Sequence, residues 1–236
     1  MARRFGHEGF RVALVARNRD ALDETVRLLS SEGVEAAGFQ ADIADPAQAL
    51  RAADEIEARF GGIDVLEHSP TPAGLFGGPL DLDPGTVAAL VDLYLLTPIA
   101  LANRLLPGMR ERGDGALLFA MGAAAIHPIP RFAAASSTLP ALRGYIHTLN
   151  SALAGDVVYA GALMIGALIE GSAAHRDAAA FATGGHPMAT VPAEDLADRL
   201  WDLAAKRDRV EDVFAPAAVA DAAAAAATAV TPAPGA

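Results

Sequence analysis

The sequence predicts one α/β domain built on a doubly wound parallel sheet. Three observations carry that prediction. Apolar runs of strand length alternate with amphipathic segments of helix length along most of the chain, which is the pattern of successive βα units. The clearest unit is GALLFAMGAAAIHPIPRFAAASSTLPALRGYIHTLN, residues 115–150. Within it Ala116–Met121 reads as a buried strand closed by Gly122, followed by a Pro-containing loop and a helix from about Leu139. Finally, 236 residues that are 53% apolar suffice for one large core. In open sheets of this kind ligands sit beyond the carboxyl ends of the strands, so the loop Gly122–Thr138 is where a site is expected.

The elements follow in order. MARRFGHEG is helical in character and stops at Gly9 before a strand over Phe10–Ala16. Ala21–Glu32 reads as an amphipathic helix, Glu35–Gln40 as a second strand, and Pro46–Arg59 as a helix with a charged outer face. Ile63–Leu66 is a short buried strand, and Glu67–Gly78 is a Pro- and Gly-rich loop. Asp83–Arg112 holds a long, mostly apolar helix that Pro98 should bend. Pro140 should keep Leu139 out of helical conformation, with Thr138 capping the helix that follows. Beyond it lie a strand over Val157–Ile165, a Gly/Ala-rich loop, a helix within Val191–Asp208 and an edge strand at Val213-Phe214. Residues 1–214 thus form the domain, and 215–236 an Ala/Pro-rich tail expected to be disordered.

Composition narrows the function classes. A net charge of −11 argues against nucleic acid or an anionic membrane as partner. No stretch stands out as a membrane span and no signal peptide opens the chain, so the expected compartment is the cytoplasm. With no cysteine, disulfides and thiolate chemistry are excluded, and no HExxH or comparable metal spacing occurs. Lys206 is the sole lysine.

Five stretches, ARRFGHEGFRVALVARN, ADIADPAQA, ARFGGIDVLEHSPTPAG, LLPGMRERGDGALLFAMG and PALRGYIHTLNSAL, occur in an order and spacing that resemble the short-chain dehydrogenase/reductase family from Ala2 to about Arg209. The resemblance implies a Rossmann-like sheet, NADP(H) or NAD(H) as cofactor, and hydride transfer at a carbonyl or alcohol carbon. It implies cofactor contacts at Arg17 and Asn18, at Asp42 and Ile43, and at Ile165 and Gly166. A cation at Arg17 favours the 2′-phosphate of NADP. Arg17 also reads as a solvated charge at a strand end, and Asp42 as a turn cap. In the family the long helix and the one after Thr138 pair across subunits, which implies a homodimer or homotetramer. The apolar residues around Leu90–Leu101 agree with a buried or interface helix.

Two departures from the family pattern matter. A first strand and a Gly-rich phosphate turn, which would precede Met1, are absent. Loss of a central strand costs more than a typical stability of roughly 5–15 kcal/mol. The natural protein is therefore expected to be longer by about 15–25 residues, the rival being a truncated relic. The second departure is chemical. The family's Ser, Tyr and Lys fall on Gly122, Ala135 and Leu139, and its helical Asn on Asp92. The three tyrosines, Tyr94, Tyr145 and Tyr159, have no Lys four residues on. His127, His68 and Ser136 are the candidate substitutes, on loops at the carboxyl edge, because histidine is a capable acid near neutrality and serine can orient a carbonyl. The same residues also read as ordinary loop polars. Three functions stay open: an NAD(P)(H)-dependent oxidoreductase with substitute donors, a catalytically silent homologue binding nucleotide, small molecule or partner, and a cyclase-like enzyme or binder with an apolar pocket.

Overall fold

The computed structural model describes residues 1–72, 76–180 and 189–215. The expected tail lies outside the described residues, apart from Ala215. The chain opens with α1 (Ala2–His7) and then β1 (Val12–Ala16), α2 (Arg19–Ser31) and β2 (Ala36–Gln40). Asp45 caps α3 (Pro46–Phe60) through its carboxylate, with Pro46 at the first helical position and Gly61 closing the helix in a left-handed conformation. Then come β3 (Val65–His68), α4 (Pro84–Val91), α5 (Thr97–Arg112), β4 (Gly115–Gly122), α6 (Ala133–Ala152) and β5 (Val158–Ile165). A short parallel pair, β6 (Leu168–Ile169) with β7 (Thr190–Val191), flanks α7 (Ala173–Ala180). The last elements are α8 (Ala193–Lys206) and β8 (Glu211–Phe214).

Four strands form a parallel sheet in the order β3-β4-β5-β8. Its centre is covered on both faces, which is why β4 and β5 are almost continuously apolar. On one face Leu117 and Phe119 pack with Leu105, Met109, Leu142 and Ile146 from α5 and α6. On the other, Leu118 and Leu163 pack with Phe5 of α1 and Leu200 and Leu203 of α8. Arg143 and His147 of α6 are tied to β8 through Glu211, at 2.8 and 2.7 Å.

Several expectations are corrected. The helix expected from Leu139 starts at Ala133, so Thr138 is no cap: it is buried in α6 and donates its hydroxyl to Ala134 O at 2.9 Å. Pro140 sits inside that helix on an exposed position. Apolar packing of Ala134, Ala135, Leu139 and Leu142 outweighs the missing hydrogen bond. In the long helix the irregularity is one π-turn, Asp92–Leu96, which precedes Pro98 and joins α4 to α5. The Pro84–Arg112 stretch, though interrupted by Asp92 and Arg104, is long and apolar enough by length and composition to cross a membrane. Its Leu101, Ala102, Leu105 and Met109 are spent instead on the sheet. Finally, Glu67 and His68 belong to β3 rather than to the loop.

The strands β1 and β2 pair with each other and, among the described residues, with no other strand. The crossover through α3 carries the chain from β2 past β1 to β3, leaving β1 and β3 on either side of a slot of about 700 Å³. Phe5 and Phe10 line it from one helical layer, and Ala53, Leu101 and Leu105 from the other.

Candidate ligand site at the carboxyl edge

Four of the expected contact residues gather at the carboxyl ends of β1 and β2. Arg17 is exposed, its guanidinium 3.9 Å from the Asp42 carboxylate. Asn18 spends its side-chain oxygen on capping α2, accepting from Ala21 N at 3.1 Å. Asp42 accepts from Ala44 N at 3.0 Å, and its own N–H donates to Gln48 Oε1 at 3.1 Å. Ile43 packs against the core and lines the slot. Ile165 and Gly166 lie at the end of β5, farther along the same edge. Gly166 donates its N–H to Phe214 O at 2.7 Å, and a side chain there would approach Ala215 Cβ to 3.1 Å. Its smallness therefore serves the β5–β8 junction.

The positions matching the family's catalytic Ser, Tyr and Lys still converge. A methyl group on Gly122 would lie 3.9 Å from Leu139 Cδ1, and Ala135 stands one helical turn before Leu139 on the same face of α6. What converges is apolar: Ala135 and Leu139 are 5% and 3% exposed and belong to the main core. Asp92 occupies the π-turn.

The candidate substitutes are not assembled in their place. His68 is buried at the end of β3, with Nε2 2.9 Å from Leu93 O. Burial holds its imidazole down at about 4, against a partial offset from that carbonyl. It is neutral at pH 7 and a poor general acid there. Ser136 is helical, not in a loop, and its hydroxyl is tied to Ile129, donating to the carbonyl at 3.2 Å and lying 3.0 Å from the amide N–H. His127 alone of the three is exposed, on the segment after β4. The tyrosines offer no acid either. Burial raises Tyr94 and Tyr145, and pushes Tyr159 up to about 12, its hydroxyl donating to Arg209 O at 2.7 Å.

One residue of interest was not singled out from the sequence. Glu67 lines the slot from β3, and its Oε1 is buried with no hydrogen-bond partner among the described residues. Burial raises its carboxyl, partly offset by a hydrogen bond with Ser69 and by the Met1 amino group. A carboxylate inside the apolar run IDVLEH was the available signal. Among the described residues no cluster of His, Asp and Glu could hold a metal ion.

A parallel sheet wound on both faces defines an α/β protein whose ligands are expected at the carboxyl edge of the strands. A profile of the family described as short chain dehydrogenase matches residues 1–176. The chain belongs to that family of oxidoreductases. It is 26% identical over 154 residues to the dehydrogenase/reductase SDR family member 4 of Homo sapiens, covering 65% of this chain and 55% of that protein. It is 28% identical over 187 residues to a short chain dehydrogenase of Pseudocercospora fijiensis, covering 78% and 60%. The chain thus spans little more than half the length of the curated relatives it matches. Among solved structures, the L-sorbose reductase of Gluconobacter frateurii, complexed with NADPH and L-sorbose, superposes with a TM-score of 0.80 at 24% identity, covering 91% of this chain and 88% of that one. A metagenomic short-chain oxidoreductase in complex with NADP gives 0.66 at 26% identity, covering 81% and 88%.

The dinucleotide that the family implies fits this chain at one end. Arg17 offers an exposed cation at the end of β1, the charge that a 2′-phosphate would meet, and Ile43 lines the slot. The other end does not fit, because Gly122, Ala135 and Leu139 carry no group that can move a proton or hold a ribose.

Proposed function

We propose that this chain is a member of the family that holds the adenosine end of NADP(H) and does not transfer hydride. The observation that carries the reading is the apolar filling of the three converging catalytic positions, Gly122, Ala135 and Leu139, two of them core residues. The likeness to proteins whose structures hold NADP or NADPH supports the choice of nucleotide, and Arg17 supports the phosphorylated form. NAD remains the weaker ligand because its ribose offers that cation nothing. Calorimetric titration with NADPH and NADH, alongside an assay of NADPH consumption with a panel of ketones and aldehydes, tests this. NADPH should bind more tightly than NADH, Arg17→Ala should remove the difference, and no carbonyl should be reduced.

A second reading has one observation in its favour: His127 is an exposed imidazole on the segment beyond β4. Carbonyl reduction lost in His127→Ala would establish a relocated proton donor and replace the first reading. Self-association as a homodimer or homotetramer through the Pro84–Arg112 helix, and a cytoplasmic location, belong to both readings. The nearly half-exposed Leu96 on that helix supports self-association.

A further inference from the structure

We propose that β8 is a detachable edge strand, clasped to the domain by one carboxylate on each of its faces, whose release frees the outer side of β5 while the rest of the sheet stays paired. The inference does not depend on nucleotide binding or catalysis.

The strand differs from its neighbours in how it is held. None of the four residues of β8 is buried, whereas β5 beside it is buried from Val158 to Met164. Val213 is 45% exposed, and Phe214 alone gives the strand a partly buried contact with the apolar cluster under α8. β8 closes the order β3-β4-β5-β8, so among the described residues no strand pairs with its other side. Segments with few buried apolar contacts are the ones that open locally, ahead of the fold as a whole.

What β8 lacks in burial it has in charge. Successive side chains point to opposite faces of a strand, so Glu211 meets α6 and Asp212 meets α8. Glu211 accepts from two nitrogens of the Arg143 guanidinium at 2.8 and 2.9 Å, and its Oε2 lies 2.7 Å from His147 Nε2. This pairing, with Arg143 the stronger partner, holds the Glu211 carboxyl below the usual carboxylate range. On the other face Asp212 lies 3.0 Å from Arg199 and 3.3 Å from Arg209. Arg209 also reaches Asp202 at 2.8 Å, which Lys206 meets at 2.6 Å, so this clasp is a network. The two carboxylates of β8 are partly buried. Removing either leaves cations without their partner in a setting that water only partly reaches.

The chain that enters the strand is anchored separately. Arg207 reaches Asp114 at 2.7 Å and Val157 O at 3.1 Å, and Tyr159 donates its hydroxyl to Arg209 O at 2.7 Å. With these contacts kept, the strand swings out from Val210 onward. The peptide groups it releases are defined by the register. Ala162 donates its N–H to Val210 O at 2.9 Å and Gly166 donates to Phe214 O at 2.7 Å. Peptide groups alternate along a strand, so Ala162, Met164 and Gly166 turn to β8 while Gly161 and Leu163 turn to β4. Ile165 and Gly166 stand at the carboxyl edge. The charges of Glu211 and Asp212 therefore govern how firmly that part of the edge is held.

Amide hydrogen exchange, read residue by residue, tests this on Glu211→Gln, Asp212→Asn and the double variant, each substitution keeping the shape and removing the charge. Loss of one charged hydrogen-bonding group should speed exchange at Ala162, Met164 and Gly166 by about 10-fold or more, and the double variant should go further. Gly161 and Leu163, in the same strand but turned to β4, should keep the rates of the unaltered protein. The double variant decides. Equal acceleration of Gly161 and Leu163 with Ala162 and Met164 overturns the proposal, because the sheet then opens as one unit. Unchanged rates throughout β5 overturn it as well. So does failure of the double variant to fold, since the two carboxylates would then hold the domain and not the strand.

Discussion

At the residue scale His68 links packing, protonation and function most directly. It is 4% exposed and its imidazole is depressed to about 4, whereas a histidine in an unfolded chain titrates near 6.5. Between those values the unfolded state binds more protons than the folded one, so stability falls as pH drops through that window. Above pH 6.5 the contribution of neutral His68 is intact. The full shift corresponds to about 3 kcal/mol lost by pH 4. Melting curves at pH 7 and pH 5 should show a clear loss of stability on acidification, and His68→Asn should abolish most of it. An unchanged slope in that variant would contradict the account of a buried neutral imidazole. The same burial disqualifies His68 as a substitute acid, a conclusion its place in the sequence concealed. Spacing placed it just past a strand end; only the contact with Leu93 O shows that it turns inward.

At the element scale α6 is the instructive case. Reading Pro140 as a boundary follows its local preference, yet the helix runs from Ala133 through it. Proline lacks the N–H that would reach the carbonyl four residues back, and the exposed side of the helix tolerates this because water is at hand. Pro140→Ala should restore the bond and raise stability by about 1–3 kcal/mol, measured by urea unfolding; a loss of stability would show that the proline shapes α6 in a way its neighbours require. The strands β1 to β5 and β8 were legible within two residues because their apolar runs are short and bounded, whereas the two-residue strands β6 and β7 were read as loop and as the start of the last helix. The start of α6 was not, because small alanines carry no periodic signal and the decisive term is their burial in the main core. Similarly, Arg17 and Asp42 were legible as strand-end residues at the carboxyl edge. Glu67 was not, since its significance depends on the slot beside it.

At the scale of the whole molecule the family and fold were readable from five ordered stretches. The β1–β2 pair and the four-stranded sheet lie on either side of a slot, and two of the family's catalytic positions, Ala135 and Leu139, are filled by core residues. The long Pro84–Arg112 helix serves the core with one face and exposes Leu96 on another. Sedimentation should show a dimer or larger species that Leu96→Glu shifts toward monomer. A species unaffected by that charge would place any self-association elsewhere.

The central claim is that a family fold has kept nucleotide recognition and lost hydride transfer. The most direct test is one titration of NADPH into the protein followed by a turnover assay on the same sample. The account predicts heat of binding that Arg17→Ala diminishes, and no NADPH consumed with any ketone or aldehyde. Carbonyl-dependent oxidation of NADPH, or no binding of NADPH at all, would contradict it.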